Sequence, residues 1–132
     1  MNRTDLDRAR RRYFLEYHTR LRKINGEIGC TKSEEHRIID FVTTTSPVGK
    51  SQRLRDQVLI LAEIIRAKIN TLNRQKSMYI GFIHFMNNRK ECDSLETLQM
   101  MRREMEDDDA TNIARLRRYN RGIQDSKACI YA

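Results

Sequence analysis

The sequence contains very few residues that break helices. One proline and five glycines occur among 132 residues, and tryptophan is absent. A turn-rich β fold uses glycine and proline more often than this. Apolar residues nevertheless recur with a helical period in several segments, which a disordered chain does not show. We therefore predict an all-α protein, and the chain length is that of one domain.

Cysteine is also scarce, and its three positions have no paired spacing. Cys30, Cys92 and Cys129 are far apart, which indicates neither a disulfide framework nor a zinc site. No apolar run follows Met1, so no secretory signal is expected. The densest apolar run, residues 78–86, is too short to span a bilayer. The sequence thus predicts an intracellular protein without an integral membrane segment, and it does not distinguish the nucleus from the cytoplasm.

Apolar periodicity predicts a small bundle of about four to five helices around a long central helix at approximately 51–75. Val58 and Ile65 belong to one apolar stripe of this helix, whereas Leu59 and Ile60 lie off the stripe. A helix that is apolar on several sides is buried by neighbours on several sides. We therefore expect the flanking helices to cover it.

Breakers and capping residues predict the ends of those flanking helices. The first helix is expected to begin at Thr4 and to end at Asn25-Gly26, since glycine at a helix end readily adopts the left-handed conformation. Residues 31–43 fit a second, shorter helix, with a buried strand at its end as the alternative. Residues 78–86 fit either a helix or a short strand, and the helix is favoured because no second convincing strand is available to pair with it.

The acidic run at residues 106–109 predicts a further boundary. Carboxylates are unfavourable at the C-terminus of a helix and favourable at its N-terminus. One helix is therefore expected to end at this run and the last helix to begin at Ala110. Residues 1–125 are assigned to a single helical domain. Residues 126–132 show no clear period and are assigned to a flexible C-terminal tail.

Positive charge dominates the chain and is concentrated in its two ends and in residues 51–77, which carry six Lys or Arg against two Asp or Glu. The net charge is +8; residues 1–25 carry eight Lys or Arg against three Asp or Glu, and residues 110–132 carry five against one. This segregation predicts an anionic partner, either nucleic acid or an acidic protein surface. The main expectation is a non-enzymatic protein that binds RNA or DNA through phosphate contacts. The expected contact residues are Arg8, Arg11, Arg12, Arg22, Lys23, Arg115, Arg117, Arg118 and Arg121.

Two features of the first helix add to this expectation. Tyr13 or Tyr17 would stack on a base if its ring were exposed. The basic run at residues 8–12 also fits a signal for nuclear import.

Catalytic and cofactor chemistry has little support in the sequence. Residues 43–51 imitate a phosphate-binding loop, with Gly49-Lys50-Ser51 at its end. Thr44 occupies the position of the first glycine, however, and threonine resists the backbone angles that the loop requires there. The three histidines are scattered along the chain. We therefore expect no catalytic residue, no metal site and no cofactor.

Two other functions remain open on the sequence alone. A helical adaptor, accessory or assembly protein would act through protein–protein contacts, with Leu15 or the Met-rich face of residues 95–105 as its anchor, and a homo-oligomer belongs to this class. A peripheral membrane protein is the other alternative. The last four residues begin with Cys129 and fit the prenylation pattern, which makes Cys129 the candidate for lipidation.

Overall fold

The computed structural model of the chain describes residues 3–44 and 52–131, and within them the chain forms three long helices and no strand. The helices are α1 (Arg3–Thr44), α2 (Gln52–Asn87) and α3 (Leu95–Tyr131). The predicted all-α class is confirmed. The predicted number of four to five helices is wrong, because neighbouring predicted segments are continuous. The Gly-Lys-Ser sequence at 49–51 lies outside the described residues.

The three helices form an up-down-up bundle in which α2 contacts both of the others. Tyr17 of α1 packs against Tyr79 and Phe82 of α2, so the start of α1 lies beside the end of α2. Glu106 of α3 pairs with Arg20 of α1, and the two helices run in the same direction. Helix α2 therefore occupies the central position that the apolar periodicity predicted for residues 51–75.

Helix α1 continues through Asn25-Gly26, where the sequence predicted its end. Ile24 and Ile28 are buried on the same stripe on both sides of Gly26. A helical glycine costs about 1 kcal/mol relative to alanine, whereas burying one isoleucine side chain contributes about 1.5–3 kcal/mol. Tertiary burial therefore outweighs the glycine and joins the two predicted helices into one. The alternative of a strand at the end of this segment is also wrong.

Helix α3 likewise passes through the acidic run at 106–109 and extends to Tyr131. The segment assigned to a flexible tail is thus helical up to that residue. Lys127 forms an ion pair with Glu34, and Ile130 packs on the apolar cluster around Ile65. These contacts fix the register of the last turns, which show no clear apolar period in the sequence. Residues 78–86 belong to α2, so the favoured helical alternative is confirmed there.

The core consists of two apolar clusters along α2. One contains Tyr17, Leu72 and Met86, and the other surrounds Ile65. Two flanking helices do not cover α2 completely, and Leu59 remains 54% exposed. The expectation that all apolar sides of the central helix are buried is therefore wrong at its N-terminal end. Within residues 3–44 and 52–131, no helix has an apolar stretch long enough to cross a membrane.

The continuity of α1 predicts the effect of replacing its two glycines. A Cβ atom at Gly26 or Gly29 would meet no other atom within 4 Å. Gly26→Ala and Gly29→Ala should therefore each raise the free energy of unfolding by about 0.5–1 kcal/mol, because alanine restricts the unfolded chain and favours the helix. Urea denaturation measures this. If α1 ended at Gly26 with a left-handed residue, Gly26→Ala would be destabilising instead.

Candidate nucleic-acid interface

A buried polar network between α2 and α3 determines which side of α3 faces the core. The Asp109 carboxyl group is completely buried. It accepts hydrogen bonds from the Tyr79 hydroxyl group and, at 3.1 Å, from the Gln75 amide. The Asn112 amide lies 3.4 Å from the same carboxyl group and 3.2 Å from the Met78 sulfur. Each buried polar group of this network thus has a partner, as burial requires.

A second network connects α1 to α3 one turn away. The buried Tyr17 hydroxyl group donates to Glu106, which also accepts from Arg20 at 2.6 Å. Arg102 donates to the Tyr17 oxygen at 3.2 Å and pairs with Glu16 at 3.3 Å. Two acids of the run at 106–109 are therefore internal partners, which explains why this run does not end a helix.

The nine cations predicted to contact nucleic acid differ from the cations of these networks. Eight of the nine are exposed, and Arg115 is half-buried. Within residues 3–44 and 52–131 none of the nine takes part in an ion pair. The cations that do pair with acids there are Arg10, Arg20, Arg66, Arg102 and Lys127. The partly buried Arg10, Arg20 and Arg102 thus form an inward, paired set. The nine predicted cations form an outward set without an acid partner among the described residues.

The outward cations of α1 form a stripe opposite its core-facing side. Arg8, Arg11 and Arg22 recur with Leu15 at spacings of three, four and seven residues, which places them on one face. This face extends over about 21 Å at 1.5 Å per residue. Leu15 is 70% exposed within it.

The condition for stacking of a base on Tyr13 or Tyr17, an exposed ring, is not met. Both rings are buried, with exposed fractions of 4% and 0%. The guanidinium groups of Arg12 and Arg102 lie 5.1 Å and 4.5 Å from the centre of the Tyr13 ring. The tyrosine faces are therefore occupied by the protein's own cations. Arg12 keeps an exposed position beside this ring, and Lys23 lies three turns further along the same flank of α1.

Helix α3 presents its arginines in more than one direction. Arg118 lies on the side opposite Asp109, whereas Arg117 and Arg121, four residues apart, share a neighbouring face. Arg115 lines an open groove of about 780 Å³ between α2 and α3. The basic residues of α1 and α3 thus occupy separate surfaces and do not converge on one pocket.

The groove between α2 and α3 contains residues that the sequence did not single out. Its α2 side carries Asn70, Asn73, Arg74 and Ser77, which share a face of the helix and lie opposite Arg115. Guanidinium groups bind phosphate, and amide side chains pair with base edges. In the sequence, this polar face is visible as polar residues that follow Asn70 at three, four and seven positions.

Of the candidates for the two alternative functions, Leu15, Met100 and Cys129 are exposed, whereas Leu98 and Met105 of the Met-rich face belong to the core. The exposed fraction of Met100 is 54%, whereas Met105 is buried. Cys129 is an exposed free cysteine in the last turns of α3. No protein-family model, curated protein or solved structure shows significant similarity to this chain.

The central network predicts a large effect of replacing Asp109. Asp109→Ala leaves the Tyr79 hydroxyl group and the Gln75 amide buried without an acceptor, and should lower the free energy of unfolding by about 3 kcal/mol. The neighbouring Asp107 is exposed, so Asp107→Ala should change it by less than about 0.5 kcal/mol. Chemical denaturation compares the two. Equal effects would show that Asp109 contributes no internal hydrogen bonds.

The buried tyrosines predict a loss of stability at alkaline pH. Burial raises the pKa of Tyr17 above its ordinary value of 10.0, and the hydrogen bond to Glu106 raises it further. Burial also raises the pKa of Tyr79 above its ordinary value, and the hydrogen bond to Asp109 raises it further. Above pH 10 the unfolded chain releases these protons while the folded chain retains them, so the stability present at lower pH is progressively lost.

Each of these tyrosines should contribute a slope of up to about 1.4 kcal/mol per pH unit above pH 10. Urea denaturation between pH 8 and 11.5 measures this slope, which Tyr17→Phe should reduce. The control is Tyr131→Phe, because that side chain is 68% exposed. A slope that falls equally in both variants would contradict the assignment.

Proposed function

We propose that this protein binds RNA or DNA through phosphate contacts made by its outward, unpaired arginines. The observation that carries the proposal is the division of cations described above. Acids of the chain pair with the partly buried Arg10, Arg20 and Arg102, whereas the nine outward cations have no acid partner among the described residues. Unpaired guanidinium groups on a helix surface are available to phosphates and release counterions when they bind them.

The groove between α2 and α3 is the best candidate for contacts beyond phosphate. Arg74 and Arg115 lie in the groove, and the exposed Arg118 follows Arg115 on α3. Arg74 and Arg115 would hold the backbone of a strand in the groove, and Arg118 would contact a phosphate of the same strand outside it. The amide groups of Asn70 and Asn73 would then meet the edges of unstacked bases. Phosphate contacts would supply most of the affinity. The two asparagine amide groups would give a preference for some bases over others.

The proposed function predicts that the affinity for nucleic acid falls steeply with salt. It also predicts that replacing Arg115 and Arg118 weakens binding. The double variant Arg115→Ala/Arg118→Ala should weaken binding of a fluorescein-labelled oligonucleotide roughly tenfold at low salt. It should also lower the slope of log affinity against log salt by about 2, one for each lost phosphate contact. Fluorescence anisotropy at several salt concentrations measures both quantities, with single-stranded and duplex oligonucleotides in parallel.

The matched control is Arg37→Ala/Arg103→Ala, which removes two exposed arginines and the same net charge. It should leave the salt slope unchanged. An equal loss in both double variants would show a general charge effect without a site. No binding at low salt would reject the proposal. If the protein then proved to be a stable oligomer, the adaptor function would be favoured, because Leu15 and Met100 are exposed.

A further inference from the structure

A cavity of about 590 Å³ lies at the end of the bundle where α1 and α3 begin. It is separate from the nine cations and from the groove between α2 and α3. Two segments that are distant in the sequence contribute to it: the first two turns of α1, and the connection after α2 with the first residue of α3. The residues used below are Arg3, Leu6, Asp7, Arg10, Arg89 and Asp93.

Three guanidinium groups line this cavity and are the donors available to a ligand. Arg3 and Arg89 are exposed and have no hydrogen-bond or ion-pair partner within residues 3–44 and 52–131. Arg10 is held in place, since its Nη2 atom donates to the Cys92 carbonyl oxygen at 2.8 Å and its Nη1 atom lies 3.4 Å from Asp7. Arg3 and Arg89 therefore supply free donors, and Arg10 supplies a fixed charge.

The charge of Arg10 is only partly compensated. Its side chain is 19% exposed, and its Nε atom is buried without a hydrogen-bond partner. Removing a charged group from water is unfavourable unless an opposite charge or hydrogen bonds replace the water. The contact with Asp7 is long for a charge-assisted hydrogen bond. An anion in the cavity would therefore offset a cost that the protein alone leaves in place.

We propose that this cavity binds a phosphomonoester of nucleotide size, with its phosphate held by Arg3 and Arg89 and faced by the fixed charge of Arg10. Guanidinium groups match the tetrahedral oxygens of phosphate with paired donors. Three arginines and two aspartates line the cavity, so its net charge is +1 and favours an anion. A cavity of this volume lies in the range of small-molecule sites, of which a bare phosphate would fill only a part.

The remaining lining suits the rest of such a ligand. Asp93 and Asp7 supply oxygen atoms that accept hydrogen bonds from sugar hydroxyl groups, as carboxylates do in nucleotide sites. Leu6 adds an apolar contact for a base. The inference does not depend on the proposed function, because none of its arginines belongs to the nine outward cations. The phosphate belongs either to a free nucleotide or to the 5′ end of a strand.

The test uses the full chain and isothermal titration with each of the four nucleoside 5′-monophosphates and the matching nucleosides. At least one monophosphate should bind roughly tenfold more tightly than its nucleoside. Two oligonucleotides of one sequence, with a 5′-phosphate or a 5′-hydroxyl group, form the second arm. A tenfold preference for the 5′-phosphate, with no binding of free nucleotides, would support the proposal with the strand end as the source.

Variants then assign the site. Arg3→Ala/Arg89→Ala should abolish the preference for the phosphate, whereas Arg37→Ala/Arg103→Ala removes the same charge from positions outside both proposed sites and should retain it. Both pairs are exposed, and equal melting temperatures would verify the fold. Equal binding with and without phosphate, or equal losses in both variants, would overturn the proposal. Salt-dependent binding of the 5′-hydroxyl strand in that case would leave the proposed nucleic-acid function standing.

Discussion

The arrangement of this bundle depends on a carboxyl group of α3 that is buried against α2. Asp109 is completely buried and accepts hydrogen bonds from Tyr79 and Gln75. A buried carboxyl group without donors would be strongly unfavourable, so rotations of α3 that separate it from these groups are disfavoured. Glu106, one turn earlier, applies the same constraint towards Tyr17 of α1. Together the two acids fix both the register and the rotation of α3.

The basic surface is a consequence of this inward use of acids. Because Glu16 and Glu106 lie beside Arg20 and Arg102, they neutralise cations that are already partly buried. The remaining arginines of α1 and α3 face outward without an acid within ion-pair distance among the described residues. A net charge of +8 is therefore distributed unevenly, with paired charge near the helix contacts and unpaired charge on the outer faces. Such surfaces attract polyanions over distances comparable to the screening length of the solution.

The sequence predicted the helical class and the outward position of the arginines, because both follow from the 3.6-residue period. It did not predict that α1 is continuous, since the cost of Gly26 is local, whereas the burial of Ile24 and Ile28 depends on α2. The sequence also did not predict the inward role of Glu106 and Asp109, because the groups that donate hydrogen bonds to these carboxylates are on other helices. Arg74 belongs to a groove that two helices form together. The cavity between Arg3, Arg10 and Arg89 joins the start of α1 to the connection between α2 and α3, two segments that are distant in the sequence.

The most direct test of the proposed interface is a titration of the arginine side-chain Nε–H signals by nuclear magnetic resonance. A short oligonucleotide is added to labelled protein at low salt, and each signal is assigned by single substitution. Signals of outward arginines such as Arg115 and Arg118 should shift, and added salt should reverse the shifts. Signals of the paired Arg20 and Arg102 should remain in place. Shifts confined to the paired arginines, or no shift in any signal at low salt, would contradict the proposed role of the outward set.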